Sequence, residues 1–288
     1  MYSKRNLSLT IILSMLILSM GCTNMFFFPM KEHVLSPEKI GLSYEDVYIE
    51  TADNIKLHGW FLHAQKESNE TAKTTVVLLH GNAENISTHI GAVYWLPKEG
   101  FNVFLYDYRG YGKSEGELSI ESAISDVAKV INHLTKRDDV DKSKLIIFGQ
   151  SLGAAIAANA VAKYQTKYNI SALVLESGFS DFRKIAKEKL NESWLTWALQ
   201  WPLSLTITNN YSPAKALSHI SDLPILIIHG DNDKVIPLKH GKRLYDSASQ
   251  PKDIWIVPDG LHTNTTTKTN YRIKLINYFN NVVMKNKP

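Results

Sequence analysis

The sequence predicts an α/β protein with a mostly parallel central sheet of about eight strands and helices on both faces. Short apolar runs bounded by polar residues or glycine recur along the chain, and their continuous hydrophobicity indicates strands that are covered on both faces. Helical patterns lie between these runs, as expected when strands and helices alternate around a parallel sheet. The chain has 288 residues, 44% hydrophobic and 21% charged, which fits one large globular domain, or at most two.

The predicted sheet begins with an antiparallel hairpin, because two β-rich runs at 45–51 and 56–64 flank the turn residues 52–54. Further along, apolar residues recur three and four positions apart from Ile120 to Leu134, which predicts an amphipathic helix. Six further strands are predicted at 75–80, 102–106, 144–148, 172–175, 224–229 and 252–257.

The interval between the fourth and fifth of these six runs is too long for a single crossover helix, so we expect a small helical cap insertion at about 178–222. It contains Trp194, Trp197 and Trp201, whose spacing places them on one helical face. Two interpretations stay open for these side chains: they belong to a packed core, or they form a lid over a substrate pocket.

Charge and cysteine content exclude several classes of function. Lys and Arg total 32 and Asp and Glu total 28, with no run of like charges, so we expect no nucleic-acid partner. The only cysteine, Cys22, excludes an intramolecular disulfide and leaves too few thiols for a cysteine-based zinc or iron–sulfur site. No H-E-x-x-H or comparable ligand spacing occurs, so no metal site is predicted.

The first residues have the pattern of an export signal. Lys4 and Arg5 precede an uncharged apolar run that ends in Gly21-Cys22, and this arrangement resembles a bacterial lipoprotein signal, in which the cysteine is lipidated after cleavage. We therefore expect a signal peptide at 1–21, a tether at 22–44 and the α/β domain at 45–288, anchored in the cell envelope outside the cytoplasm. An uncleaved membrane anchor is the alternative, because residues 7–30 carry no charge.

A G-x-S-x-G motif follows the run at 144–148. It reads Gly149-Gln150-Ser151-Leu152-Gly153 and leads into an alanine-rich helical segment. Small residues are needed two positions before and after the serine, because the nucleophile occupies a strained turn in which larger side chains would collide with the backbone. The motif predicts Ser151 as a nucleophile.

A serine nucleophile requires a histidine base that is oriented by a carboxylate. In a strand–turn–helix arrangement of this kind the chain order is serine, acid, histidine. His262 follows the last predicted strand in a glycine-containing loop and is the predicted base, whereas His58, His63 and His133 fall within strand or helix patterns.

The predicted acid is Asp233, which follows the strand at 224–229. Asp231, directly after Gly230, is expected to shape the turn, and Glu176 could serve in a variant layout.

The oxyanion of an acyl-transfer intermediate needs preorganised N–H donors. Leu152, directly after the nucleophile, supplies one backbone N–H, and the second is expected from the loop after the strand at 75–80. Asn82 is the candidate in that loop. We expect His80 to hold the loop rather than to transfer protons.

These residues make the sequence resemble the serine α/β-hydrolase superfamily over about residues 45–282. It is similar to the small single-domain branch that is marked by H-G-N-A-x-N, Y-R-G-x-G-x-S and H-G-x-x-D-x-x-x-P. Here these motifs are His80–Asn85, Tyr108–Ser114 and His229–Pro237. The resemblance implies an α/β-hydrolase fold and hydrolysis of esters, thioesters or amides without a metal or organic cofactor. Tyr108-Arg109-Gly110 is expected to form a structural turn.

The expected function is that of a serine hydrolase with a small-molecule acyl substrate, and a carboxylesterase is favoured because the segment from Trp194 to Trp201 suggests an apolar acyl pocket. A serine peptidase and an acyltransferase are alternatives on the same triad. A non-catalytic surface-binding protein with the same fold is the alternative from another class.

Overall fold

The central sheet of the protein has eight strands in a computed structural model that describes residues 27–65, 74–191 and 209–285. Cys22, Trp194, Trp197 and Trp201 lie outside the described residues, so the interpretations of these four side chains stay predictions. The strands are β1 (Tyr44–Glu50), β2 (Lys56–Leu62), β3 (Thr75–Leu79), β4 (Asn102–Tyr106), β5 (Leu145–Gln150), β6 (Ile170–Glu176), β7 (Ile225–Gly230) and β8 (Lys252–Val257).

The strand order across the sheet is β1-β2-β4-β3-β5-β6-β7-β8. Strand β2 is antiparallel to its neighbours β1 and β4, and every other neighbouring pair is parallel. The predicted fold class is therefore confirmed. Each of the eight predicted strands is present, with bounds that differ from the predicted ones by a few residues.

Helices cover both faces of the sheet, which explains the continuous apolar runs. Ile147 on β5 belongs to a buried cluster that includes Ile124 and Ile156, whereas its neighbour Ile146 belongs to a second cluster that includes Phe279. The helices are α1 (Ile86–His89), α2 (Ile120–Leu134), α3 (Leu152–Tyr164), α4 (Phe182–Asn191), α5 (Pro213–Leu217), α6 (Leu238–Ser247) and α7 (Thr269–Lys285).

The predicted helix from Ile120 to Leu134 is present as α2 with the same bounds. It begins at a capping box in which the Ser119 hydroxyl accepts from the backbone N–H of Ser122, and the Ser122 hydroxyl accepts in return from the N–H of Ser119. Helices α4 and α5 lie within the range of the predicted cap insertion. Within the three described ranges, no helix has both the length and the apolar character needed to cross a membrane.

The carboxyl ends of the parallel strands lie at one edge of the sheet. Strands β5, β6, β7 and β8 end there at Gln150, Glu176, Gly230 and Val257, and the loops that follow them hold every predicted triad residue. In open α/β sheets this edge is where ligands bind. The fold thus brings Ser151, Asp233 and His262, which are far apart in sequence, to one side of the molecule.

Candidate active site

Ser151 lies at the turn between β5 and α3. Its backbone has φ 52° and ψ −112°, a conformation that non-glycine residues rarely adopt, and its N–H donates to the carbonyl of Glu176 at 2.9 Å. Strain of this kind is concentrated at functional sites. The turn places the Ser151 side chain in the wall of a cavity of about 410 Å³.

The two glycines of the motif are required by close backbone contacts. A Cβ atom on Gly153 would approach the carbonyl groups of Leu79 and His80, and one on Gly149 would lie 2.7 Å from Ala154 Cα. Real Cβ atoms are not found closer than about 3.0 Å to such atoms. The physical reason for the G-x-S-x-G pattern is therefore present at both positions.

The predicted acid and base are in direct contact. His262 Nδ1 donates to Asp233 Oδ2 at 2.8 Å, and the other carboxylate oxygen of Asp233 accepts from the backbone N–H groups of Val235 and Ile236 at 2.8 Å each. Burial raises the pKa of the Asp233 carboxyl, but the bond and charge of His262 and the two N–H groups outweigh it and hold the pKa below its ordinary value. Asp233 is therefore ionised at neutral pH and can orient the imidazole.

The loops that carry the acid and the base are fastened to each other. Asn232 N–H donates to the Gly260 carbonyl at 3.0 Å, and Asp231 N–H donates to the Val257 carbonyl at 3.1 Å. The Asp231 side chain is exposed, and the carboxylate that bonds His262 is that of Asp233. These bonds fix the two loops, and with them Asp233 and His262, relative to each other.

Glu176, the alternative acid, has a different role. Its buried carboxylate accepts from Gln150 Nε2 at 2.6 Å and from the backbone N–H of Thr265 at 2.9 Å. The carboxylate in contact with His262 is that of Asp233. Glu176 therefore connects the strand that precedes Ser151 to the loop that follows His262.

The predicted oxyanion residues Asn82 and Leu152 line the same cavity as Ser151. The loop that holds Asn82 is fixed by the Tyr111 hydroxyl, which donates to the Asn82 carbonyl at 2.7 Å. Beside it, His80 is fully buried, and its Nδ1 donates to the Gly81 carbonyl at 2.7 Å.

Burial, and then the nearby His89, lowers the pKa of His80 to about 3. His80 is therefore neutral at physiological pH and stacks on the Tyr108 ring with centroids 4.1 Å apart. These contacts agree with the expectation that His80 holds the loop.

The cavity beside Ser151 is mostly apolar. Two of its lining residues, Phe27 and Phe28, lie in the predicted tether, and sequence reasoning missed them because nothing in the pattern connects them to a motif more than 50 residues away. Helix α4 contributes a run of lining side chains at helical spacing. The lining residues are Phe27, Phe28, Asn82, Ile120, Ser151, Leu152, Phe179, Phe182, Ile185, Ala186, Lys189, Val235 and Ile236.

Arg109 of the Tyr108-Arg109-Gly110 sequence has a structural role, as expected. Its guanidinium forms two bonds to Asp126 on α2, at 2.7 and 2.8 Å, and two to Asp53 in the turn of the β1–β2 hairpin, at 2.6 and 2.9 Å. These contacts connect the segment that contains Arg109, helix α2 and the turn of the β1–β2 hairpin. None of them involves a predicted triad residue.

Two clusters among the described residues have atoms spaced like metal ligands: His33, His58 and Asp107, and Glu45, His63 and Asp139. Neither contains a triad residue. In the first cluster His33 Nε2 is 2.8 Å from Asp107 Oδ2, and in the second His63 Nε2 is 3.0 Å from Glu45 Oε1. Contacts between the side chains themselves thus account for both clusters.

Comparison with known proteins gives the family. A model of the family described as serine aminopeptidase, S33, matches residues 70–221. Protein YfhR of Escherichia coli O157:H7 is 33% identical over 258 residues, which cover 88% of this chain and 86% of YfhR. The α/β-hydrolase domain-containing protein WAV2 of Arabidopsis thaliana is 33% identical over 245 residues, 82% of this chain and 77% of WAV2.

A solved structure has the same fold. The Pyrococcus furiosus esterase Pf2001 superposes with a TM-score of 0.71 over 90% of this chain and 98% of its own, at 20% sequence identity. Together with the eight-stranded sheet, these matches establish that this chain is a hydrolase of the α/β-hydrolase type and belongs to the serine aminopeptidase S33 family.

Proposed function

We propose that this protein is a membrane-tethered serine carboxylesterase that acts on a small-molecule acyl substrate through Ser151, His262 and Asp233. Ser151 Oγ attacks the acyl carbonyl while His262 takes the hydroxyl proton, and Asp233 stabilises the imidazolium that forms. The backbone N–H groups of Asn82 and Leu152 donate hydrogen bonds to the oxyanion.

The reaction proceeds through an acyl-enzyme. Collapse of the first tetrahedral intermediate breaks the ester bond, leaves the acyl group on Ser151 Oγ, and transfers the proton from His262 to the departing alcohol. Water then attacks the acyl-enzyme with His262 as the base. This second step releases a carboxylic acid and restores the Ser151 hydroxyl.

The observation that carries the proposal is the chemistry of the cavity wall beside Ser151. Aromatic and aliphatic side chains dominate it, and the one charged residue among its described members is the cation Lys189. A peptidase that recognises a positively charged amino terminus needs a carboxylate in this position, and none of the described lining residues supplies one. An apolar acyl group fits this wall better than a charged peptide end does. The name of the Pyrococcus neighbour, an esterase, supports the same choice.

The N-terminal sequence supports a location of this activity in the cell envelope. In our proposal residues 1–21 are a lipoprotein-type signal, Cys22 carries the lipid, and 22–44 tether the domain in the cell envelope on the side away from the cytoplasm. The basis is the uncharged run that ends at Gly21-Cys22. With a formal charge of +4, we expect no nucleic-acid partner.

A substrate panel tests the esterase assignment. The full chain in mild detergent is assayed with p-nitrophenyl esters of two to twelve carbons and with leucine p-nitroanilide, and Ser151→Ala is the control. We expect ester hydrolysis that depends on Ser151 and rises from acetate to medium chains, because the wall is apolar. Preferential cleavage of the aminoacyl anilide would contradict the esterase and favour an aminopeptidase.

A further inference from the structure

The segment that leads from the predicted anchor into the domain, residues 27–34, is held against the active-site loops. Met30 N–H donates to the Glu84 carbonyl at 3.0 Å, and the Met30 carbonyl accepts from Gly112 N–H at 2.9 Å. The Asn85 side-chain amide donates to the carbonyls of Met30 and Glu32 at 3.0 and 2.7 Å. Asn85 belongs to the same loop as the proposed oxyanion residue Asn82, so the N-terminal segment and the catalytic loop form one unit.

A cluster of histidine and aspartate side chains also holds this segment in place. His33 Nε2 is 2.8 Å from Asp107 Oδ2, and the fully buried His58 lies between Asp107, at 3.6 Å from its Nδ1, and Asp46, at 2.5 Å from its Nε2. Burial raises the pKa of the Asp107 carboxyl, but the hydrogen bond from His33 and the proximity of His58 outweigh it and hold the pKa well below its usual range. The carboxylate is therefore charged in the folded protein and anchors the segment through His33.

Exposed apolar side chains from three separate segments lie at or next to the residues of the proposed site. Phe27 and Phe28 line the cavity, and Phe28 is 62% exposed. Val235, another lining residue, is 46% exposed, and Leu261, directly before His262, is 51% exposed. Phe28 and Val235 are therefore exposed apolar side chains on the wall of one cavity, and an exposed apolar patch of this kind marks an interaction site for a membrane, a protein or a ligand.

Helix α4 adds a basic amphipathic element to the same opening. Phe182, Ile185, Ala186 and Lys189 recur at helical spacing and line the cavity. The ten residues of the helix include four basic side chains and one acidic one. Its apolar residues face the cavity and pack against the core, so what the helix adds to the outer surface beside the cavity is positive charge. An excess of positive charge attracts a surface of anionic lipids.

The length of chain before Phe27 limits the distance to the proposed anchor. Cys22 is five residues from Phe27, and an extended chain advances at most about 3.6 Å per residue, so the two Cα atoms lie within about 18 Å of each other. That distance is less than the thickness of a bilayer. A lipid on Cys22, as proposed above, would therefore hold the cavity wall at Phe27 and Phe28 close to the membrane surface.

We propose that the apolar rim formed by Phe28, Val235 and Leu261, together with α4, is a membrane-docking surface, and that the substrate is an acyl ester lipid of the leaflet that holds the anchor. The proposal rests on the proposed esterase function. The acyl chain leaves the leaflet through the rim and enters the cavity, and water and the lipid ester are converted into a fatty acid and an alcohol through the Ser151 acyl-enzyme.

Cross-linking tests the docking surface without requiring catalysis. The full chain is reconstituted in vesicles of phosphatidylcholine and phosphatidylglycerol, with the photoreactive amino acid benzoylphenylalanine in place of Val235 or, as the matched control, in place of Ile273. Ile273 lies on α7, is 56% exposed and does not line the cavity. After irradiation we expect lipid adducts at position 235 to exceed those at 273 at least tenfold. Equal adducts at the two positions would overturn the proposal.

A kinetic comparison tests the substrate. Hydrolysis of a fluorogenic long-chain ester in the vesicles is measured against hydrolysis of dissolved p-nitrophenyl butyrate, and the ratio of the two rates is compared between variants. We expect Val235→Asp to lower the ratio at least tenfold and Ile273→Asp to leave it unchanged. An unchanged ratio in Val235→Asp would contradict the lipid substrate. Adducts at position 235 without hydrolysis of either ester would support the docking surface and overturn the esterase function, so the two failures are distinguishable.

Discussion

Asp233 is the residue on which the proposed catalysis depends most directly after the nucleophile. One carboxylate oxygen accepts from His262 at 2.8 Å, and the other accepts from the N–H groups of Val235 and Ile236. Because both oxygens are occupied, the carboxylate cannot rotate away from the imidazole. The tautomer of His262 with the proton on Nδ1 is thereby favoured, and in the proposed mechanism Nε2 of this tautomer accepts the Ser151 proton.

Asp233→Asn tests this role. The amide oxygen of asparagine can still accept from Val235 and Ile236, but its NH₂ group faces His262 and favours the wrong tautomer. We expect kcat for p-nitrophenyl butyrate to fall about 10³- to 10⁴-fold with little change in KM. Thermal unfolding of the variant close to that of wild type serves as the folding control. A decrease of less than tenfold would remove Asp233 from the proposed triad.

Asp107 predicts a pH-dependent contribution to stability. Its folded pKa is depressed by His33 and His58 against the opposing effect of burial, so its stabilisation is complete above the unfolded pKa of about 4 and is lost as pH falls through the folded value. We expect Asp107→Asn to lower the free energy of unfolding by about 3 kcal/mol at pH 7 and by progressively less below pH 4.

Urea unfolding between pH 7 and pH 2.5 measures the difference. Glu117→Gln, which changes an exposed carboxylate, is the matched control and should show no such pH dependence. A constant difference between Asp107→Asn and wild type across this range would contradict the assigned charge of Asp107.

At the scale of elements, the turn between β5 and α3 shows how sequence determines the position of the nucleophile. Strand β5 is buried on both faces, α3 begins directly after Ser151, and Gly149 and Gly153 allow the backbone of the turn to contact its neighbours closely. The strand, the turn and the helix each have a local signal. This part of the site could therefore be predicted from the sequence.

Substitution of the second motif glycine tests the packing of this turn. Gly153→Ala would bring a Cβ atom against the carbonyl groups of Leu79 and His80, and we expect a loss of about 3 kcal/mol or more in the free energy of unfolding. Gly91→Ala is the matched control, because no atom lies within 4 Å of a Cβ there. Its stability should stay within about 1 kcal/mol of wild type. Equal stability of the two variants would contradict the close packing at Gly153.

Other elements could not be predicted because their signals are not local. His33 and Asp107 are 74 residues apart, and only the folded chain shows that they meet. Likewise, Phe27 and Phe28 belong in the sequence to the uncharged N-terminal run, yet in the structure they line the cavity that contains Ser151. Strands were predictable from continuous hydrophobicity, whereas contacts between a terminal segment and a distant loop leave no periodic pattern.

At the scale of the whole molecule, the first described residues of the chain, which follow the proposed anchor, lie beside the candidate active site. The N-terminal segment connects directly to the loop of Asn82 and Asn85, and it passes the cavity that contains Ser151. An anchor at the opposite end of the sheet would separate the opening from the membrane. This arrangement supports our proposal that the enzyme takes its substrate from the membrane to which Cys22 would anchor it.

Cys22→Ser tests the lipid anchor. If Cys22 is the acceptor, the variant cannot be lipidated, and cells that are fed an alkyne-tagged fatty acid should show no label on it, while the wild type is labelled. A Ser19→Ala variant keeps the cysteine and is the control. Equal labelling of wild type and Cys22→Ser would contradict lipidation at this residue, and labelling of neither would favour the uncleaved anchor.

The central claim is that Ser151 is a nucleophile activated by His262, and covalent labelling tests it most directly. The full chain is treated with a fluorophosphonate probe, and the modified residue is identified by peptide mass spectrometry in the wild type, Ser151→Ala and His262→Ala. We expect stoichiometric modification of Ser151 in the wild type and none in either variant at the same exposure. A folded wild-type protein that does not react, or a Ser151→Ala variant that reacts as fast as wild type, would contradict it.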